Sequence, residues 1–268
     1  MAKMSLYFFS AAFLSLGAGT LLYLWYVLRR QDRVGRYATL ITGLGAALLT
    51  MSLLFRSIVS GRGPFSNQYE FSLAFAWGIV IAYLYIERSF RSRSLSIFVM
   101  PLALGLMAYA STIPSTIEPL VPALQNNLLL TIHVSVAIVA YGTFAVAFGA
   151  AIMYLFQRQD LVSWMPPRDK LEEVGHRAVV IGFPMMVLVL VLGAVWANTA
   201  WGRYWGWDPK ETATLVTTLI YAGYLHARNL RGWRGTRSAV LLILGFAATV
   251  FTFFGNLFLG GLHSYAGL

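Results

Sequence analysis

A tryptophan-rich stretch is the feature of this sequence best suited to binding a ligand. Trp196 to Glu211 reads WANTAWGRYWGWDPKE and contains four of the eight tryptophans. Cations and carboxylates lie among the rings, and such an aromatic surface with polar edges suits a large, flat, apolar ligand that carries charge at one edge. The candidate ligand-binding residues are Trp196, Trp201, Gly202, Arg203, Trp205, Trp207, Asp208 and Lys210.

The alternative is an aromatic belt, because tryptophan and tyrosine also gather at membrane interfaces. Such a belt usually supplies about one or two rings at each helix end. Trp196 alone fits this explanation. Four tryptophans between positions 196 and 207 favour a binding surface.

The end of the stretch also predicts a helix start. Asp208 suits the N-cap, Pro209 suits the first helical position, and Glu211 lies three residues after the cap. This pattern is a capping box with proline at its preferred place. The exposed N–H groups of a helix start there would favour a nearby anionic group.

The four histidines are the other candidates for chemistry: His133, His176, His226 and His263. The chain has no cysteine, which excludes disulfides, thiol nucleophiles and thiolate ligands. A lone histidine at a helix end is more often a hydrogen-bonding residue than a ligand. An ionisable residue at membrane depth, however, is a functional candidate by default.

The composition predicts that these residues are positioned by membrane helices. The chain is 58% hydrophobic and 11% charged, against about 25% charged for a soluble domain. Its net charge of +10 does not indicate nucleic-acid binding, because the basic residues fall in short clusters between apolar runs. We therefore expect lipid to surround these helices.

Eight apolar runs approach the roughly 20 residues that span a bilayer. The first run lacks the features of a cleavable signal peptide. The seventh run is short, and it would need Pro209–Glu211 or the residues that follow the run to reach a spanning length. We predict an all-α bundle of about eight transmembrane helices, forming one polytopic domain over residues 1–268. The runs are Ser5–Leu28, Tyr37–Val59, Tyr69–Ile86, Leu95–Ser111, Leu128–Phe156, Ala178–Ala197, Thr212–Leu225 and Ala239–Leu259.

Charge in the connections predicts the topology. Fifteen of the 20 basic residues lie in the connections that follow the first, third, fifth and seventh runs. By the positive-inside rule these connections are cytoplasmic. Both termini and an external loop at 196–211 are then on the outer side.

This topology puts His133 and His263 at the depth of the tryptophan-rich stretch, and His176 and His226 at the cytoplasmic side. Two histidines beside an aromatic platform suit haem, whose iron leaves two axial positions for imidazole. Arg203 or Lys210 would pair with its propionates. Zinc fits less well, because two imidazoles without a cysteine or an acidic pair leave the tetrahedron incomplete.

The stretch WGRYWGWDPKE resembles the tryptophan-rich WWD signature of haem-handling proteins in cytochrome c maturation. Two external histidines flank that signature in the family, which His133 and His263 (in GLHSYAG) match. The eight-run layout, His226 in YLHAR, and RGPFSNQYE before the third run resemble the CcsA/ResC-type branch of System II. The six-span CcmC branch is a poorer match, because it lacks the first helices and an equivalent of His226.

The resemblance implies a function. Haem b would enter near His226 and be held outside by His133 and His263 while an apocytochrome c offers its Cys-x-x-Cys-His segment. A CcsB/ResB-type membrane protein would supply the partner of the inner histidine and complete a holocytochrome c synthase. His176 matches no family ligand and is expected to be a helix-end residue. The implied location is the bacterial cytoplasmic membrane, or the thylakoid membrane if the protein is plastid-encoded.

Three alternatives remain open. The first is a membrane b-type cytochrome that passes electrons between an inner and an outer haem. The second is a transporter of another planar substrate with the histidines as proton relays, and the third is CcmC-like delivery of haem to a chaperone. A spectrum of the purified protein separates the first two, because the transporter would carry no haem and the cytochrome would carry it permanently.

Overall fold

The computed structural model describes residues 2–121, 124, 125, 127–158, 160–255 and 258–263. Within this part the chain forms eight α-helices and a 3₁₀ turn (Arg93–Leu95), with no strand. The predicted all-α fold is therefore confirmed. The helices are α1 (Ala2–Arg29), α2 (Asp32–Ser60), α3 (Gln68–Phe90), α4 (Ser96–Ser111), α5 (Asn127–Phe156), α6 (Arg168–Trp201), α7 (Pro209–Leu230) and α8 (Thr236–Phe254).

Seven of these eight helices are long and apolar enough to cross a membrane, and α7 is the exception. Its 22 residues include Pro209–Glu211, which the short seventh run was expected to need. The buried face of α7 carries Thr214, Thr217 and Thr218, and each hydroxyl donates to the carbonyl four residues earlier. These internal bonds let a polar helix lie within the bundle, where unsatisfied groups would be costly.

The tryptophan-rich stretch is less of a loop than predicted. Its first part, Trp196–Trp201, is the last turn and a half of the 34-residue α6. Gly202 ends that helix in the left-handed conformation with φ of 71°, which glycine adopts without steric cost. The connection between α6 and α7 is thus 202–208, and the predicted external loop at 196–211 includes helix at both ends.

The helices pack around α5, which contacts α3, α4, α6 and α8, while α1 and α2 form a hairpin against α3 and α4. Small residues permit the closest approaches, as expected for membrane helices. A Cβ on Gly142 of α5 would lie 2.5 Å from the carbonyl oxygen of Gly78 in α3. Gly19, Gly45 and Gly149 are similarly crowded, whereas Gly17 and Gly43 face open space.

We call the end of the bundle that carries the α2–α3, α4–α5 and α6–α7 connections and residues 258–263 the tryptophan end. The opposite end is the basic end. At the tryptophan end, buried Glu70 pairs with Arg56 at 2.6 Å and with Arg62 at 3.3 Å. The same guanidinium groups donate to the carbonyls of Ser115, Thr116 and Glu118. This cluster fixes the start of α3 against the connection between α4 and α5.

A second carboxylate ties the helices at the basic end. Buried Glu87 of α3 accepts hydrogen bonds from Tyr23 of α1 and Thr39 of α2, and it pairs with Arg93 at 3.4 Å. The hairpin of α1 and α2 is therefore attached to α3 at both ends.

Candidate functional site

An open cavity lies at the tryptophan end between α3, α5, α6, α7 and the segment after α8. Its empty space, which includes the open mouth, is about 940 Å³. Its lining includes five residues predicted from the sequence: His133, Trp196, Trp205, Lys210 and His263. The fold therefore brings together residues that are up to 130 positions apart in the chain.

His133 projects into this cavity from the second turn of α5. Its Nδ1 atom is buried and has no hydrogen-bond partner among the described residues. Gly193 of α6 lies beside the ring, and a Cβ at that position would be 3.1 Å from His133 Cε1. Glycine at 193 therefore makes room for the imidazole.

His263 is held by a carboxylate from the tryptophan-rich stretch. Its Nδ1 lies 2.7 Å from Oδ1 of Asp208, and the backbone N–H of Leu262 donates to Oδ2 of Asp208 at 2.6 Å. A Cβ on Gly261 would lie 2.5 Å from the same Oδ2 atom. The segment after α8 can approach Asp208 this closely because position 261 is glycine.

Asp208 also begins α7. Its side chain accepts from the N–H of Lys210 at 2.9 Å, and Glu211 Oε2 accepts from the N–H groups of Asp208 and Gly206. The predicted capping box is therefore present. One carboxylate thus serves both the helix start and the histidine.

The charges of this pair follow from their surroundings. Burial alone would raise the pKa of Asp208, but hydrogen bonds from His263 and the N–H groups of Lys210 and Leu262 outweigh it and hold the pKa at about 2. Burial lowers the pKa of His263 below its usual value, which the bond to Asp208 offsets only in part. At neutral pH the pair is an ionised carboxylate and a neutral imidazole, so Nδ1 carries the proton and Nε2 carries the lone pair that a metal would accept.

The tryptophans divide into two groups. Trp196 and Trp201 surround His263, with ring centroids 5.5 Å and 4.9 Å from the imidazole, and they contact each other edge to face at 4.7 Å. Trp205 lines the cavity and meets Trp207 edge to face at 5.6 Å. Trp207 itself is 69% exposed, with a left-handed φ of 56°, and it does not line the cavity.

The remaining predicted residues of the stretch have separate positions. Gly202 caps α6. Arg203 is exposed and extends along Gly206, outside the cavity lining. Lys210 lines the cavity, and its ammonium group lies 5.5 Å from the ring centroid of Phe71.

The other two histidines lie toward the basic end, away from this cavity. His226 is near the end of α7 and is exposed on its outward face. His176 is in α6 and half-buried, with its ring 6.2 Å from that of Tyr224. The ion pair between Glu172 and Arg228 is at the same end, at 3.4 Å.

Sequence reasoning missed several residues that shape the site, among them Gln68, Gly193 and Gly261. Gln68 lines the cavity from the first position of α3, and its only signal was its place in the RGPFSNQYE segment. Gly193 and Gly261 had no individual signal, because glycines are common in membrane helices and their roles depend on atoms far away in sequence.

The donor set fits haem. Two imidazoles reach one cavity from separate elements, one of them oriented by a carboxylate as metal-ligating histidines usually are. Aromatic rings line the same space, and Lys210 provides a positive charge at its edge.

Comparison with known proteins identifies the family of the chain. Residues 65–263 match the family model described as cytochrome C assembly protein. The chain is 34% identical to the cytochrome c biogenesis protein CcsA of Pyropia yezoensis, over 88% of each chain. It is 36% identical to CcsA of Prochlorococcus marinus strain MIT 9312, over 84% of this chain and 83% of the relative. For CcsA of Synechococcus elongatus the identity is 34%, over 92% and 93% of the two chains.

Among solved structures, the fold is similar to that of the cytochrome c haem lyase CcmF. The TM-score is 0.72 at 19% sequence identity, and the match covers 94% of this chain and 46% of CcmF. The chain thus spans about half the length of that protein, and the likeness concerns the fold alone.

Proposed function

Because the chain belongs to the cytochrome c assembly family, as a CcsA-type cytochrome c biogenesis protein that acts in cytochrome c maturation by haem handling, we propose that its cavity at the tryptophan end presents haem b to an apocytochrome c. His133 and His263 would be the axial ligands. Haem is the cargo here and is passed on to the cytochrome.

One observation carries this proposal: His133 and His263 line the same cavity although they come from α5 and from the segment after α8. The Asp208 bond supports ligation through Nε2 of His263, and Trp196 and Trp201 limit the movement of that ring. The site is therefore preorganised on the His263 side.

The chemistry belongs to the cargo and the cytochrome. Each thiol of the Cys-x-x-Cys-His segment adds across one vinyl group, so that sulfur bonds to one vinyl carbon, the thiol proton goes to the other, and nothing is released. Haem b is the appropriate cargo because its vinyl groups have not reacted. The chain contains no cysteine and would contribute ligation and positioning.

A second site is proposed at the basic end. His226 is exposed on the outward face of α7. It would bind the iron of an incoming haem from one side, and a ligand from another membrane protein would bind that iron from the other side. A CcsB/ResB-type partner would supply that ligand and complete a holocytochrome c synthase. The multi-pass chain would lie in a bacterial cytoplasmic or a thylakoid membrane, with its tryptophan end on the outer side.

The direct test is co-expression with a CcsB-type protein and an apocytochrome c, scored by covalent haem in the cytochrome. We expect product with the wild-type chain and little with a variant that carries both His133→Ala and His263→Ala. Purified protein should show a low-spin haem spectrum that depends on both histidines. Permanent haem that cycles between redox states without forming product would support the b-type cytochrome instead.

A further inference from the structure

Gln68 presents an unused hydrogen-bond donor to the cavity. It is the first residue of α3, lines the cavity, and is only 8% exposed. Its Nε2 atom has no hydrogen-bond partner among the described residues. Burial of an unpaired amide is unfavourable, so a ligand that accepts from it would recover free energy lost in the free protein.

Lys210 presents a second donor close by. Its ammonium group lies 5.5 Å from the ring centroid of Phe71. Phe71 follows Gln68 by about one turn of α3, and all three residues line the cavity. The ion pairs among the described residues do not include Lys210. The nearby carboxylate of Asp208 is occupied by His263 and by backbone N–H groups.

The start of α3 adds positive charge near Gln68, because a helix start carries partial positive charge. The start of α7 is already capped by Asp208 and by Glu211, and Glu211 also lines the cavity, where its Oε2 atom accepts from the N–H groups of Gly206 and Asp208. Behind the start of α3, two guanidinium groups surround the single carboxylate of Glu70, which leaves one surplus positive charge. Much of the opposite lining is apolar, including Leu130, Val134 and Ala137.

We propose that Gln68 and Lys210 form a carboxylate-binding subsite, which selects the cargo by its acidic edge independently of its iron. The inference rests on the proposed function, because the acidic edge is that of the two haem propionates. Gln68 is a specificity-determining residue in this scheme. Its amide donates to one carboxylate oxygen, while the ammonium group of Lys210 neutralises the negative charge of the carboxylates.

The free protein provides a separate signature. Gln68→Met keeps nearly the same volume and removes the unpaired amide, so the thermal stability of the ligand-free protein should be equal or higher. The stabilisation that haem confers should become smaller. If Gln68 had only a structural role, Gln68→Met would lower the thermal stability of the ligand-free protein instead.

The test compares the affinities of the purified full-length chain for haem and for haem dimethyl ester, which keeps the iron and the vinyl groups but lacks both carboxylates. The haem-to-ester affinity ratio should fall about tenfold for Gln68→Met and at least as far for Lys210→Met, the loss expected for a charge-assisted hydrogen bond. Gln125→Met is the matched control, since Gln125 is exposed at the same end of the bundle. This control should keep the wild-type haem-to-ester affinity ratio. Haem and its ester differ in solubility, but the difference is the same for every variant and therefore cancels when the ratios are compared.

Gln68→Glu is a second variant in case Gln68→Met is poorly produced. Its carboxylate should repel haem and leave ester binding nearly unchanged. A wild-type ratio in both Gln68 variants, or equal wild-type affinity for haem and ester, would overturn the subsite while leaving haem binding intact. If neither porphyrin binds in a manner that depends on His133 and His263, the proposed function fails, and this inference fails with it.

Discussion

The carboxylate of Asp208 lies 2.7 Å from Nδ1 of His263, across 55 positions of sequence. The WWD signature and the second histidine are therefore parts of one hydrogen-bonded unit. The aspartate fixes the tautomer and the direction of the ring, which are the properties that outer residues impose on metal-ligating histidines.

Asp208→Asn should weaken haem binding by about 10- to 100-fold, the usual effect of losing such a partner. Asparagine is also a good N-cap, so α7 should keep its helix start. Haem titration and circular dichroism together check this. Asp169→Asn, at an exposed residue of the basic end, is the control, and wild-type affinity in Asp208→Asn would contradict the assigned role.

Gly261→Ala should also disturb the site. The new methyl group would lie 2.5 Å from Asp208 Oδ2, which is too close, so the segment that carries His263 must move. Gly260→Ala is a closely matched control, because a Cβ there meets nothing within 4 Å. The alanine at 261 should lower haem affinity and covalent product, the alanine at 260 should not, and equal behaviour of the two variants would argue against the observed geometry.

His133→Ala and His263→Ala should each abolish most maturation, and the double variant should resemble the single ones because the ligands act as a unit. Neither change should prevent folding, since His133 lies near the start of α5 and His263 lies in the segment after α8, outside the packed middle of the bundle. Added imidazole should partly rescue the single variants by filling the vacant axial position. It should not rescue Trp205→Ala, which removes part of the cavity wall, and normal product from the double variant at normal protein level would refute the site.

The predicted topology can be checked by labelling, because the natural chain contains no cysteine. Glu118→Cys and Asn229→Cys introduce single thiols at exposed positions of the tryptophan end and the basic end. In intact cells, a membrane-impermeant maleimide should label the first variant and not the second. Labelling in the reverse order would invert the proposed membrane orientation.

Glu70→Gln should lower the free energy of unfolding by about 3–5 kcal/mol, the cost of leaving buried charges without their partner. The reason is that Arg56 is 2% exposed and would lose its carboxylate. Thermal unfolding of the purified protein measures the change. Glu118→Gln, at an exposed glutamate of the same end, should have little effect, and equal unfolding temperatures for both variants would count against the cluster.

The fold and the outline of the site were predictable because they depend on local patterns. Apolar runs gave the helices, the DPKE pattern gave the start of α7, and alternation of the helices put His133 and His263 at one end. The signature could not distinguish Trp205, which lines the cavity, from Trp207, which faces outward.

The contacts that complete the site could not be predicted, because they join residues distant in sequence. The bond from Asp208 to His263 has no local pattern. The space that Gly193 leaves for His133, and the unpaired amide of Gln68, depend on how neighbouring helices pack.

The order in which the chain is synthesised has a consequence for when the cavity can be filled. Arg56 and Glu70 are 14 positions apart and can pair as soon as α2 and α3 leave the ribosome and enter the membrane. Asp208, by contrast, must wait for Leu262 and His263, which follow α8. A nascent chain therefore lacks Leu262 and His263 until all eight described helices have been made, so the contact that joins Asp208 to the segment after α8 is among the last to form.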